Sequence, residues 1–315
     1  KKFPLLERLD VSSSYIREKE ARVLFKTLVS LEKLKYLNLS GNIIDIEVLG
    51  GGLVLPATLE ELLFSDIIHG EKLFAKMSQL QNLRKLHLNK LILRQCDAEA
   101  LAITLSCFPK LEELSLADLV APEYETILTA IKSLKSIRKI DLSCIRLTDE
   151  GALADMLSSL SSLEQLVLDR ITAVANFDYK NLFEKIEILK RLRKLSFRYM
   201  EVPDSVKAFF DTLSSLSILE DTVFPFFTSG CTDCITENVS SLESLRYMRK
   251  LNLCCIIFKN STAQALAHVL PSLQLLENLQ LNLKIDSDES SKQLFVALKT
   301  LKYLKKLVVI NNGEI

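Results

Sequence analysis

No apolar run in this chain approaches the length needed to cross a bilayer. Basic and acidic residues balance at 40 each, so the net charge is zero. A dedicated binder of nucleic acid or of a membrane surface would need a positive excess, so neither is expected as a partner. Histidine is scarce, with only His69, His87 and His268. No Gly-x-x-x-x-Gly-Lys-Ser/Thr phosphate loop occurs, and the run Gly50-Gly51-Gly52, closed by Pro56, has no adjacent Lys-Ser. It reads as a loop standing where a helix would otherwise lie. The seven cysteines are odd in number and do not cluster at either end, where secreted repeat proteins usually carry disulfide-bonded caps. They read as reduced thiols of a cytoplasmic protein. Cys231-x-x-Cys234 with Cys254-Cys255 fits no standard zinc spacing, and buried apolar cysteines are the commoner case, so no metal and no other cofactor is expected. The sequons at Asn38, Asn238 and Asn260 pull the other way, but such triplets arise often by chance and Asn38 would put a glycan in mid-strand.

What the chain does have is a repeat. The pattern apolar-x-x-apolar-x-apolar begins at Leu6, Leu34, Leu59, Leu83, Leu111 and Ile137, then at Leu163, Leu192, Leu219, Met248, Leu276 and Leu304, in steps of 24 to 29 residues. One such hexad is common by chance, whereas twelve in near-constant phase are not. The alternation at its end predicts a short strand with one buried face. Between strands, as in Ala152-Leu153 through Met156-Leu157 to Leu160, apolar residues fall three and four apart and predict a helix. Asp97, Asp149, Asp204, Ser261 and Asp288 stand where helix N-caps are wanted. Neither element can bury its apolar face alone, so the expected fold is an α/β solenoid. Parallel strands would line the concave side and helices the convex side of a strongly curved horseshoe. Length alone suggests about two domains, but a repeat array grows in one dimension and residues 1–315 are expected to be a single domain. The same stacking would hold the three histidines apart, against any base–nucleophile pairing.

Asp141-Leu-Ser-Cys-Ile-Arg-Leu-Thr-Asp-Glu-Gly151, followed by Ala152-Leu153-Ala154, resembles the ribonuclease-inhibitor class of leucine-rich repeats. The whole chain resembles the C-terminal repeat domain of NLR innate immune receptors, and its Leu-Arg-Lys and Leu-Glu-Glu strand starts are similar in style to NAIP and its inflammasome partner. The resemblance implies a cytosolic ligand-sensing or autoinhibitory domain. Two departures stand out. The nucleotide-binding domain of such receptors is absent. The hallmark asparagine after the strand is present only at Asn42 and Asn312, while eight repeats carry an apolar residue there, including Leu91, Ile145, Met200 and Ile256. Those turns must satisfy their backbone groups without an asparagine ladder.

Counting the first apolar residue of each hexad as position one, positions two and three alternate in charge along the chain. Glu60-Glu61, Arg84-Lys85, Glu112-Glu113 and Arg138-Lys139 are followed later by Glu220-Asp221 and Arg249-Lys250. Neighbouring strands lie about 4.8 Å apart. The alternation reads as an ion-pair ladder that fixes repeat order, with a charge-striped ligand surface as the alternative. Further along each strand, Ser12, Ser13, Ser40, Ser65, Asn89 and Ser115 give way to Val167, Arg170, Arg198, Tyr199, Val223 and Phe226. Aromatic and Arg side chains are common interface anchors, so these six are the candidate partner-binding residues, centred on repeats eight and nine. The alternative for repeat nine, where Thr222 replaces a core leucine and Phe224-Pro225-Phe226-Phe227 follows, is a kink with Phe224 and Phe227 in the core.

These features point to a non-catalytic protein-interaction domain. Its partner would be a protein ligand or the other domains of its own receptor, and it would oligomerise only through a domain outside this sequence. The chain starts at Lys1 and both ends read as cut, so a fragment of a longer protein is expected. The competing readings are the substrate-recruiting repeat domain of a ubiquitin ligase, a free-standing cytosolic inhibitor or scaffold, and a secreted repeat protein.

Overall fold

The computed structural model describes residues 3–42, 44–45, 54–68, 70–122, 124–147, 150–173, 177–202, 205–227 and 232–310. Gly50–Gly52, His69, Asp149, Asp204, Cys231 and Asn312 lie outside them. The chain divides into two compact units, Lys1–Ser162 and Leu163–Ile315.

Each unit is a leucine-rich-repeat solenoid. In the first, the strands β1 (Arg8–Asp10), β2 (Tyr36–Asn38), β3 (Glu61–Ser65), β4 (Lys85–Asn89), β5 (Glu113–Ser115) and β6 (Lys139–Asp141) pair in parallel and in sequence order. The helices α1 (Glu18–Leu28), α2 (Glu71–Met77), α3 (Gln95–Leu105), α4 (Tyr124–Ile131) and α5 (Glu150–Ser158) alternate with them. In the second unit the strands are β7 (Gln165–Val167), β8 (Lys194–Ser196), β9 (Asp221–Val223), β10 (Lys250–Phe258), β11 (Asn278–Leu283) and β12 (Lys306–Ile310). Its helices are α6 (Tyr179–Glu187), α7 (Val206–Ser215), α8 (Thr232–Asn238), α9 (Asn260–Val269) and α10 (Asp288–Leu298). All twelve strands fall on hexads, as their alternation predicts.

The register comes from the backbone. The position-two carbonyl of one repeat accepts two N–H groups, from positions two and three of the next. Glu60 O receives Arg84 N at 2.7 Å and Lys85 N at 3.0 Å, and Arg249 O receives Glu277 N at 2.8 Å and Asn278 N at 2.9 Å. This keeps positions one, four and six in line from repeat to repeat, and Leu83, Leu86, Leu88 and Leu276, Leu279, Leu281 are all buried.

The turns after the strands solve the missing-asparagine problem in a second way. In each of repeats one to eight, position eight has a left-handed backbone: Ser13, Gly41, Asp66, Lys90, Asp118, Cys144, Arg170 and Tyr199, with φ between 51° and 72°. Seven of these eight carry a Cβ, at a cost of about 1 kcal/mol or more each. The conformation recovers part of that cost by aiming the position-eight N–H at the position-seven carbonyl of the next repeat: Lys90 N to Ala117 O at 2.9 Å, Asp118 N to Ser143 O at 2.7 Å and Arg170 N to Arg198 O at 2.7 Å. The next residue then turns inward, and Leu91, Ile145 and Met200 are all buried. Asn42 does the older job: its carboxamide accepts from Ser14 N and Ile16 N and donates to Val11 O and Leu39 O.

Two sequence expectations are corrected. The helix caps differ from those assigned. The capping box of α3 opens at Arg94, with Asp97 three residues inside the helix. The buried Asp97 carboxylate accepts from Arg94 N and Arg94 Nε, and also from Glu71 N at the start of α2 in the preceding repeat. It therefore caps two helices. α10 is capped by Ser287, not Asp288, and α9 begins at Asn260, ahead of Ser261. Second, Ser65 and Ser115 are buried instead of presented. Ser115 Oγ donates to Asn89 Oδ1, and Ser65 Oγ takes the Gly41 N–H.

Repeat nine packs into an aromatic cluster. Phe224 and Phe227 are buried with Phe183, Phe197, Phe209 and Phe210, at centroid separations of 4.9 to 5.9 Å. Pro225 follows the end of β9, so its lack of an N–H breaks no strand pairing. Thr222 fills the leucine position fully buried, and among the described residues its hydroxyl has no partner.

Two stability measurements follow from these contacts. Thr222→Val keeps the shape and removes an unpartnered buried hydroxyl, so it should raise the unfolding free energy by about 1 kcal/mol in a urea titration. A fall would mean that the hydroxyl has a partner. Burial opposes ionisation of Asp97, but the hydrogen bonds from the Arg94 side chain and from the backbone of Arg94 and Glu71 outweigh it and hold the carboxyl below the usual range. A carboxyl depressed on folding contributes stability that is present above its unfolded value of about 4 and lost as pH falls through the folded one. Asp97→Asn should cost about 2 kcal/mol at neutral pH, and its deficit should shrink only below about pH 4. A deficit constant down to pH 2 would show that ionisation of Asp97 plays no part.

Candidate functional site

The charged rows of positions two and three form an inter-repeat ladder. In the first unit Lys35 reaches Glu7 at 3.6 Å, Lys85 reaches Glu61 at 3.2 Å, Arg84 reaches Glu112 at 2.5 Å and Lys139 reaches Glu113 at 3.4 Å. In the second, Arg193 pairs with Glu220, Arg249 reaches Glu277 at 2.8 Å and Lys305 reaches the same carboxylate at 2.7 Å. The Lys305 hydrogen bond, helped by Arg249, holds Glu277 below the usual carboxylate range. At Glu113 burial works against ionisation, but His87 and Lys139 more than offset it. These groups are spent on one another, which removes them as a free ligand surface.

The six candidate binding residues lie close together on the strand face of the second unit. Arg198, Tyr199 and Phe226 line a groove of about 470 Å³ together with Cys254, Cys255, Gln280, Val308 and Ile310. An adjoining groove of about 300 Å³ includes Val167, Val223 and the ends of Lys194, Lys250 and Lys306. Arg198, Asn252 and Gln280 belong to both. Arg170 packs its guanidinium 5.0 Å from the centre of the Tyr199 ring. That contact and the left-handed turn fix Tyr199 outward at 60% exposure. Val223 is the weak member, since it is buried and offers the groove only an edge.

The wall opposite Tyr199 was not legible in composition. Repeats nine to eleven lack the left-handed residue at position eight, and β10 runs on for nine residues. Its register against β11 shifts between Leu253 and Ile257. The extra residues bulge, so Ile256 enters the core while Cys254 and Cys255 both line the groove. Burial pushes both thiols up, which keeps them protonated. The sequence signal for Gln280 and Val308 was their hexad position five, the same as Val167 and Val223. Cys234, by contrast, is exposed on α8. Among the described residues no group of three or more His, Cys, Asp or Glu side chains could hold a metal ion, and no helix is long and apolar enough to cross a membrane.

In the first unit, a cavity of about 480 Å³ is lined by Glu7, Lys35, Glu60, Arg84, Lys110 and their polar neighbours. It offers no apolar anchor.

The class that fold and site define is the leucine-rich-repeat solenoid with a mixed apolar and basic groove on its strands. No protein-family model and no curated protein sequence matches the chain. Among solved structures it is similar to an internalin (inlF) from Listeria monocytogenes, with a TM-score of 0.54 and 17% identity over 98% of this chain and 83% of that one. An internalin C2 (inlC2) from the same organism aligns at a TM-score of 0.41 and 19% identity, over 74% of each chain. At these identities the first likeness is one of fold alone, and the second carries no argument.

The ladder can be tested by charge reversal. Arg84→Glu with Lys85→Glu would set three acidic strands side by side in the first unit. The double variant should lose about 1–2 kcal/mol, less at high salt, because exposed pairs contribute about 0.2–1 kcal/mol each. Adding Glu61→Lys and Glu112→Lys should restore much of the loss, a non-additivity that marks direct contact. Urea midpoints unchanged in both variants would rule out the ladder.

Proposed function

We propose that this chain is a non-catalytic protein-interaction repeat domain that captures its partner on the strand face of the second unit. The observation that carries the reading is the groove around Arg198, Tyr199 and Phe226. Here an exposed aromatic ring is held by a neighbouring guanidinium, beside apolar walls and side-chain amides that can orient a polypeptide. Rigid aromatic and Arg anchors in a partly apolar hollow are the usual centre of a protein interface.

The repeat style at Asp141–Gly151 supports a finer reading: the ligand-sensing domain of an NLR-type receptor in the cytoplasm, with the whole chain serving as one repeat domain of a longer protein. Two observations favour that compartment. The six described cysteines are free thiols, the adjacent Cys254 and Cys255 among them. Two of the sequon amides are engaged. Asn260 Oδ1 accepts from Asp286 N and Ser287 N, and Asn38 Nδ2 donates to Asp10.

A random peptide library displayed on phage tests the interaction reading, with the Arg198→Glu, Tyr199→Ala, Phe226→Ala triple variant as counter-selection. Peptides enriched on the native chain should lose at least about tenfold in affinity for the variant, the equivalent of one lost hot spot. Binders held equally by both proteins, or no binders at all, would count against this face.

A further inference from the structure

The two strand faces differ in charge. Positions three and five of the first unit's strands carry three cations, Arg8, Lys85 and Lys139, against four carboxylates, Asp10, Glu61, Glu113 and Asp141. In the second unit the same positions carry Lys194, Lys250 and Lys306 against Asp221 alone. Asp221 lies 4.0 Å from Lys250. Among the described residues no carboxylate comes within ion-pairing distance of Lys194, Arg198 or Lys306. One oxygen of nearby Asp169 is already taken, by Ser196 Oγ and Arg198 N. Asn278 and Gln280 stand between these cations, and their side-chain NH₂ groups donate no hydrogen bond among the described residues. The ladder at position two, by contrast, is neutralised. The fold therefore leaves two lysines, an arginine and two amide donors unspent on one face, with Lys250 held by Asp221 alone at 4.0 Å, next to the mixed apolar groove.

We propose that this face binds an extended acidic segment of a protein partner. Carboxylates would sit on Lys194, Lys250 and Lys306, Arg198 would stand at the junction, and one apolar side chain would enter the hollow between Tyr199 and Phe226. The proposal rests on the interaction reading above and adds the chemistry of the partner. Spacing sharpens it. Lys194, Lys250 and Lys306 occupy every second strand, so they repeat at about 10 Å. A polyproline-II segment rises about 3.1 Å per residue with three residues per turn, which puts every third side chain on one face about 9 Å apart. Acidic residues at every third position match that row, and the intervening carbonyls fall near Asn278 and Gln280. Asp221 in the lysine row and Glu201, which also lines the groove beside Tyr199, disfavour a uniform polyanion such as a nucleic-acid strand, because continuous phosphates could not avoid them.

The probe is a fluorescein-labelled peptide with three Asp-Pro-Pro triplets and a terminal Phe, read by fluorescence anisotropy on the full chain. Three controls accompany it: the analogue with Asn for each Asp, an analogue with the acids two apart, and oligothymidylate. The Asp peptide should bind at low salt, weaken as salt rises, and bind at least about tenfold more tightly than either analogue. Lys250→Glu and Lys306→Glu should each reduce affinity about tenfold, while Lys85→Glu, in the same row of the first unit, should not change it. Thermal unfolding of each variant separates lost binding from lost folding. Equal affinity for the Asn analogue, indifference to both reversals in folded protein, or displacement by oligothymidylate at matched charge would overturn the proposal. Library peptides that need Arg198, Tyr199 and Phe226 but ignore Lys250→Glu would overturn the acidic class and leave the interaction reading standing.

Discussion

The backbone carbonyl at position two governs both units. It takes two N–H groups from the next repeat, and the ten described examples span 2.7 to 3.0 Å. This three-centre contact fixes the offset between neighbouring strands at the start of each, before any side chain is consulted. The leucine rows are then in line, the charged rows are opposite one another, and one-residue slips would turn the whole apolar set outward. The sequence supports the contact by alternating charge at the residues that make it. Each exposed pair contributes little by itself. Its larger effect is on order, since skipping a repeat would bring like charges together.

The left-handed residue at position eight is the second constraint, and it depends on the first. A strand held at fixed register must turn sharply to send its next side chain into the core. Where asparagine is absent, the chain makes that turn with a strained residue whose N–H is paid back by the adjacent repeat. Lys90 and Asp118 are ordinary residues in a conformation they rarely adopt, and stacking on both sides is what holds them there. No local propensity in these stretches would have revealed it.

Period and alternation made the strands legible, because each hexad must place three side chains in the core. The alternating Glu and Arg-Lys pairs named their own partners, since adjacent repeats are adjacent strands. Relations that skip the local window were not legible. Asp97 has the right residue type for a cap, yet its second function is on a helix 26 residues earlier, at Glu71. Ser65 and Ser115 read as exposed polar groups, but neighbouring repeats supply their hydrogen-bond partners and cover them. The candidate site was half visible. Arg198, Tyr199 and Phe226 stand out by residue type, whereas Cys254 and Cys255 face the same groove only because the register of β10 slips past Leu253.

That slip and the end of the left-handed turns belong together. From repeat nine onward Thr222 weakens the leucine row, Pro225 removes a donor just past the strand, and Phe226 takes position eight without the left-handed backbone. The following strand is then free to run on as far as Phe258 instead of turning at position eight. Its added length raises a wall against Tyr199, the last residue to keep the older turn. The hollow is therefore the junction between two ways of leaving a strand. A regular array could not make it, because identical turns stack into a continuous surface. The irregular repeat that costs stability at Thr222 is also the one that gives the strand face a place to hold a side chain.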